Sequence, residues 1–289
     1  MEILNPSPVA PLPQAMWLTY RAVMETPGLT RDGVLDRVVP VAMRAKTPGG
    51  DGIHVVRALD ALVKLEMVAS VGDRLEAERV DGAAGFVRSL RHRVVSPAEA
   101  FGTTYDPPHD LRRGLVWLMR QSPAKALDYD VDVAPVTKVF TNPTRWNTFR
   151  SWCEVLGFGQ VMLEELAAPG ASVGGSKIVP NPTDAVVDVI RHPSGEPLPA
   201  GQKVPISQLV EFLRAELPVL PGHPSATFEG LTAGMEEGMR ALGIALAGAE
   251  ERAVLDMEYQ SDPSGVMALA DYDGTVRYVS SVTIRRAVG

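Results

Sequence analysis

Cysteine is almost missing from this chain. Cys153 is the only one in 289 residues, so no intrachain disulfide can form and a Cys-rich zinc site is excluded. No apolar run approaches the roughly 20 residues that a membrane helix needs. The first thirteen residues carry Glu2 and several prolines instead of the basic and apolar stretch of a secretory signal. The expectation is a cytoplasmic protein with no membrane partner. The histidines His54, His92, His109, His192 and His223 do not pair at metal-ligand spacing, and there is no His-Glu-x-x-His. A P-loop, a nucleophile elbow, a kinase set and a nuclease carboxylate cluster are also absent. No metal, no cofactor and no catalysis are expected.

What is present is ordinary for a globular protein. Hydrophobic residues make up 45% and charged residues 22%. The length suits two or three domains. The net charge of -7 argues against a protein that coats nucleic acid over its whole surface. Its distribution is uneven. Residues 79–150 hold 11 basic and 7 acidic side chains, whereas residues 151–289 hold 9 and 18. Phosphate contact is therefore expected from the first or middle part, and the last part is unsuited to it.

A pattern recurs about three times along the chain. Each copy has an apolar-striped helix, a second helix and a short β-rich stretch with a Gly- or Asp-rich turn. That order reads as a winged helix, the helix-turn-helix variant with a trailing hairpin. The expected fold class is mainly α with small antiparallel β-hairpins (α+β), in tandem winged-helix modules. Residues 1–13 read as an extended arm and 14–80 as the first winged helix. A linker helix and loop follow at 81–109, a second winged helix at 110–181, and a C-terminal winged-helix-like module at 182–289.

Within the first module, helices are expected at 14–25, at 30–45 with Thr30 as N-cap and strain at Pro40, and at 53–65. Strands flank Gly72-Asp73. The second module needs a helix at 110–121, a short segment at 135–140 and a helix at 144–156. Wing strands are expected at 161–164 and 176–179. The third needs helices at 206–217 and 231–246, then strands at 253–259, 265–269 and 276–284. The proline-bearing loops at 97–109 and 193–204 are the expected hinges.

The recognition helix of a DNA-reading winged helix buries one face and presents the other. On the helix at 53–65, spacing turns Val55, Val56, Leu59, Leu62 and Val63 inward, and His54, Arg57, Ala61 and Lys64 outward. His54, Arg57 and Lys64 are the first candidate DNA contacts. Asn147 and Arg150 are weaker candidates on the second helix. On the third, Glu236, Glu237 and Arg240 face outward. Phosphate would repel that acidic face, so these three are candidate protein-partner contacts.

Other features have plainer readings. Asp128, Asp130 and Asp132 alternate and would share a face on a strand, but no EF-hand loop surrounds them. An exposed acidic loop or edge strand explains them better than a cation site. The Gly-rich stretch at 169–177 lacks Walker spacing and reads as a wing tip. Gly157 reads as the residue that ends a helix.

The segment Thr144-Arg-Trp-Asn-Thr-Phe-Arg-Ser-Trp-Cys-Glu-Val-Leu-Gly-Phe-Gly159, followed by Ile178-Val-Pro-Asn-Pro-Thr-Asp184, resembles the DpdG-like proteins. These belong to bacterial clusters that insert 7-deazaguanine derivatives into DNA. The shared features are an aromatic helix ending in Leu-Gly-x-Gly, a wing, a Pro-x-Pro-Thr helix start and a C-terminal winged unit. The resemblance implies a role beside helicases and nucleases in restriction, with no catalytic residues to carry over. The expected function is a non-catalytic adaptor or DNA-binding component of an antiphage modification-restriction system. Its partners would be a helicase, ATPase or nuclease, together with duplex DNA. The alternative is a winged-helix transcription regulator.

Overall fold

The computed structural model describes residues 1–5, 7, 9–44, 51–162, 177–231, 235–259, 265–270 and 275–286, without the side chains at 43 and 235–238. The fold is α+β, with helices and small antiparallel sheets. The chain divides into two compact units. The first comprises Met1–Arg112 and Val139–Val155, and the second Arg113–Lys138 and Leu156–Gly289. The division runs through the stretch expected as the second winged helix: 110–112 and 139–155 belong to the first unit, the rest of 110–181 to the second.

The first unit begins with a segment that has no regular structure but is held firmly. Ile3 and Leu4 are buried, and their backbone N–H groups donate to the Asp110 carboxylate at 3.0 and 2.7 Å. Helix α1 (Pro13–Glu25) opens on a proline, whose missing N–H is no loss there. It buries Met16, Thr19, Tyr20 and Val23 at helical spacing. Thr30 caps α2 (Arg31–Val38), its hydroxyl accepting the Gly33 N–H at 3.1 Å. Pro40 separates α2 from the short α3 (Val41–Arg44), because proline lacks the N–H and crowds the preceding turn.

Helix α4 (Ile53–Lys64) packs on α1 through Val55, Ala58, Leu59, Ala61 and Leu62. A two-residue turn at Gly72-Asp73 then joins β1 (Val68–Val71) to β2 (Arg74–Ala77). Leu29, between α1 and α2, bridges antiparallel to Leu75 of β2. Helix α5 (Gly82–Val95) buries Phe86 against the Trp17 and Tyr20 rings, at centroid distances of 5.3 and 5.1 Å. Helix α6 (His109–Leu118) starts in this unit and continues into the second. Trp146, Phe149, Trp152 and Cys153 of α7 (Pro143–Leu156) are all buried, and the Trp152 indole N–H donates to the Pro11 carbonyl at 3.3 Å.

In the second unit, Leu127 bridges antiparallel to Ile178 of β4 (Ile178–Pro180), which pairs with β3 (Gly159–Val161). Gly157 ends α7 at φ +78°, and a Cβ there would lie 2.8 Å from the Ala185 nitrogen. Glycine is therefore required on both conformational and steric grounds. Next come α8 (Thr183–Arg191), β5 (Lys203–Pro205), α9 (Ile206–Glu216), α10 (Met235–Glu251) and β6 (Leu255–Glu258). The chain ends with β7 (Met267–Ala270), β8 (Val276–Val279) and β9 (Ser281–Ile284). One sheet has the order β5-β9-β6, and β7-β8 forms a separate hairpin that packs on α10.

One topology recurs. Leu29, β2 and β1 stand in that order, then Leu127, β4 and β3, then β5, β9 and β6. Each time an extended residue or strand precedes the second helical element, and the last strand of the group sits in the middle.

Several expected elements differ in detail. In place of the segment at 135–140 stands a widened helical turn, Tyr129–Val133, closed by the Ala134 N–H on the Tyr129 carbonyl at 2.8 Å. The strand expected at 276–284 is two strands that break at Ser280 and join different sheets. The wing tip expected at 169–177 lies outside the described residues except for Lys177.

Candidate nucleic-acid and partner interfaces

Helix α4 offers the first interface. His54 and Lys64 are exposed and Arg57 is half-buried. Ala61, expected outward, is 4% exposed, whereas Val56, expected inward, is 37% exposed. The helix is thus rotated from its sequence-based face, because the small Ala58 and Ala61 let α4 approach its neighbours closely. Asp60 takes the place expected for Ala61. Its carboxylate is held by Arg31 of α2 at 2.6 Å, which offsets its charge beside Arg57. The Arg57 Nε is buried without a hydrogen-bond partner among the described residues. The β1-β2 hairpin adds little positive charge, since Arg74 lies 3.6 Å from Asp73 and its Nη1 donates to the Gly28 carbonyl.

Asn147 and Arg150 are brought together on α7. The Arg150 guanidinium donates to the Asn147 side-chain oxygen at 2.8 Å, and Asn147 is exposed. Arg240 is exposed on α10. The Glu236 and Glu237 side chains fall outside the described residues. From Ala241 to Ala249, α10 is buried except for the half-buried Ile244. The reason is that α10 packs against α8 as well as against the β7-β8 hairpin, which approaches so closely that a Cβ on Gly243 would lie 2.7 Å from the Ala270 carbonyl oxygen.

The alternating aspartates do not share a strand face. The Asp128 side chain accepts from the Asp130 and Val131 N–H groups, and Asp132 accepts from the Asp128 N–H at 2.8 Å and pairs with Lys125 at 2.5 Å. Burial pushes the Asp132 pKa up, but the hydrogen bonds from Lys125 and the Asp128 N–H, with the charges of Lys125 and Lys177, hold it below the ordinary carboxylate value. These carboxylates build the turn. Among the described residues no group of three or more His, Cys, Asp or Glu side chains is placed to hold a metal ion. Burial raises the Cys153 thiol pKa well above its usual value, so the thiol stays protonated. Among the described residues no helix is long and apolar enough to cross a membrane.

Sequence reasoning missed an anchor next to α4. Glu66 adopts φ +54°, a left-handed conformation that is costly for a side chain with a Cβ. Its carboxylate accepts from the Thr104 hydroxyl and, at 3.2 Å, from the Gly102 N–H, and lies 3.6 Å from Arg93. Arg93 in turn stacks over the Phe101 ring at 3.9 Å. A groove of about 420 Å³ opens beside this cluster, with Tyr20, Glu76 and His92 in its walls. Burial pushes the Tyr105 hydroxyl up to about 12, and that hydroxyl donates to the Arg93 carbonyl. The loop expected as a hinge is therefore fastened to α4. The other expected hinge is fastened too, since the Glu216 carboxylate accepts from the Ser194 N–H and hydroxyl and from the Gly195 N–H.

The Thr104 hydrogen bond lowers the Glu66 pKa, helped by the Gly102 N–H and the Arg93 charge against the opposing effect of burial. A depressed folded-state value stabilises the fold above the unfolded carboxyl's value, and the stabilisation is lost as pH falls through the folded one. Hydrogen exchange at 101–105 is therefore expected to speed up in mild acid in the parent chain. In Glu66→Gln it is expected to be fast already at neutral pH. An identical pH profile for both proteins would remove Glu66 as the anchor.

Fold and surfaces together define an α+β protein of repeated helix-and-hairpin groups that present charged helix faces. The DpdG-like family matches residues 1–263, and the chain belongs to that family. No curated protein and no solved structure matches it.

Proposed function

We propose that this chain is a non-catalytic tandem winged-helix component of a Dpd-type DNA modification-restriction system, working in the cytoplasm. It touches duplex DNA through its first module and docks on a helicase, ATPase or nuclease through its last. The observation that carries the reading is the topology that recurs three times: a helix, an extended residue or strand, further helical elements, then strands of which the last sits centrally between that extended residue or strand and the first strand of the group. A winged helix has that order, and its third helix is the reader. Membership of the DpdG-like family supports the system. Fold alone does not set function, so the division of labour rests on the surfaces. Helix α4 keeps His54, Arg57 and Lys64 on its open side. The hairpin β7-β8 covers α10, which therefore cannot enter a groove and is left for protein contact.

The test is a duplex titration at several salt concentrations. Arg57→Ala with Lys64→Ala is expected to weaken binding and to flatten the log–log salt slope by about 0.9 for each phosphate that is no longer neutralised. Charge reversal at Glu236 and Glu237 is expected to leave DNA affinity undiminished and to reduce recovery of the native complex. Unchanged affinity and slope in the Arg57 and Lys64 variant would remove α4 as a reader and leave only scaffolding.

A further inference from the structure

We propose that the first unit carries a docking groove for an extended partner segment that reaches in with a lysine or arginine side chain. This contact goes beyond the DNA and protein contacts assigned above to α4 and α10. The groove is the one of about 420 Å³ beside the Glu66 anchor. Its lining takes Ala69, Glu76 and Glu78 from the β1-β2 hairpin and the residues that follow it, and His92 and Arg93 from α5.

The charged groups of the lining select a cation. Glu66 and Arg93 offset one another at 3.6 Å, and the Arg93 guanidinium lies over the Phe101 ring. His92 meets that ring edge-on at 5.3 Å. Glu76 and Glu78 are both exposed, and among the described residues neither carboxylate has a hydrogen bond or an ion pair. Burial raises the Tyr20 pKa, and the Glu78 charge adds to it against the Arg93 charge, which sets the Glu78 carboxylate near the Tyr20 hydroxyl. Two unpaired carboxylates in one wall attract a cation and repel phosphate. Among the described residues no three His, Cys, Asp or Glu side chains are placed to hold a metal ion. An ammonium or guanidinium group is the cation that fits.

The backbone of β1 selects a segment over a free amine. Leu75 of β2 directs its N–H to the Leu29 carbonyl at 2.9 Å and accepts from the Gly28 N–H at 3.0 Å. Ser70 is the residue opposite Leu75 in the hairpin. Its own N–H and C=O therefore turn the other way, off the free edge of β1. No described backbone group pairs with them. An extended chain can add there as a further strand. Its residue opposite Ala69 points to the face that Ala69 shares with Glu76. That residue stands two strand spacings, roughly 10 Å, from the Glu76 backbone. Ala69 is too small to obstruct the path, and only a long side chain spans it. Lysine and arginine are the long cationic side chains.

The experiment selects phage-displayed random short peptides on the full chain and measures a fluorescein-labelled winner by anisotropy. Winners are expected to carry Lys or Arg between strand-forming residues. Glu76→Gln with Glu78→Gln should weaken binding about tenfold, with unchanged thermal unfolding because neither carboxylate has a partner to lose. Glu76→Lys with Glu78→Lys should recover a peptide whose base is replaced by Glu. Methylating the peptide's backbone nitrogens removes the donors to the β1 edge and keeps the charge, and should also weaken binding about tenfold. An absence of winners, winners without a base, or full affinity in the double glutamine variant would each overturn the groove. Undiminished binding of the methylated peptide, with displacement by spermidine, would overturn the extended segment in favour of a free amine. The salt titrations of the α4 variants involve neither glutamate, so failure of the groove and failure of the DNA reading can be told apart.

Discussion

Replacing Asp110 with alanine is expected to release the N-terminal segment of the first unit and to cost roughly 3–5 kcal/mol. The Asp110 side chain is only 9% exposed. One carboxylate oxygen accepts from the Ile3 and Leu111 N–H groups at 3.0 and 2.8 Å, and the other from Leu4 at 2.7 Å. Without the carboxylate, the Ile3 and Leu4 N–H groups stay buried with no acceptor, and each unsatisfied group costs about 1–3 kcal/mol. The side chains of Ile3 and Leu4, 0% and 1% exposed, would lose their seat as well. Asp110→Asn keeps one oxygen and should cost about half as much. The loss is a large part of a typical domain's stability of about 5–15 kcal/mol. Urea unfolding gives the magnitude. Amide exchange over residues 1–12 gives the mechanism, because protection there should vanish before the rest of the unit opens. Alanine variants that retain that protection would show that another group holds the segment.

Gly243→Ala is the second large effect, and its sign is the informative part. In an exposed helix interior this change would stabilise by roughly 1 kcal/mol. Here the new Cβ would stand 2.7 Å from the Ala270 oxygen and 2.8 Å from its nitrogen. These are backbone atoms, so a side-chain rotation cannot relieve the clash. Helix α10 and strand β7 must separate, and a net loss of about 1–3 kcal/mol is expected from overpacking. Hydrogen exchange in β7 and β8 should rise most. A stabilised Gly243→Ala protein would mean that the hairpin does not sit on α10 at this distance.

Local elements were legible where their signals are local. The Thr30 cap, the Gly72-Asp73 hairpin and the Gly157 helix end all follow from one or two residues whose chemistry permits few alternatives, whereas the helix expected through 30–45 is not strained at Pro40 but split there into α2 and α3. The aromatic stripe of α7 was legible because Trp146, Phe149, Trp152 and Cys153 recur at helical spacing and are all buried. The bridging residues Leu29 and Leu127 were not legible. A one-residue bridge has no periodicity, and its identity depends on Leu75 and Ile178, which lie far along the chain. Strand β5 was hidden for a similar reason, in a proline-bearing loop where only pairing with β9 reveals it.

The candidate surfaces divide in the same way. Sequence alone determined that the 53–65 region forms an amphipathic helix carrying His54, Arg57 and Lys64, and that the last part of the chain is acidic. Both follow from residue order and count. Only the tertiary structure decided the rotation of α4, which buries Ala61, opens Val56 and sets Asp60 against Arg31. It also decided that β7-β8 covers α10, and that Ala69, Glu76 and Glu78 line one groove. Helical spacing specifies which residues share a face. Which face is covered depends on the volume and proximity of neighbours that the local sequence does not contain.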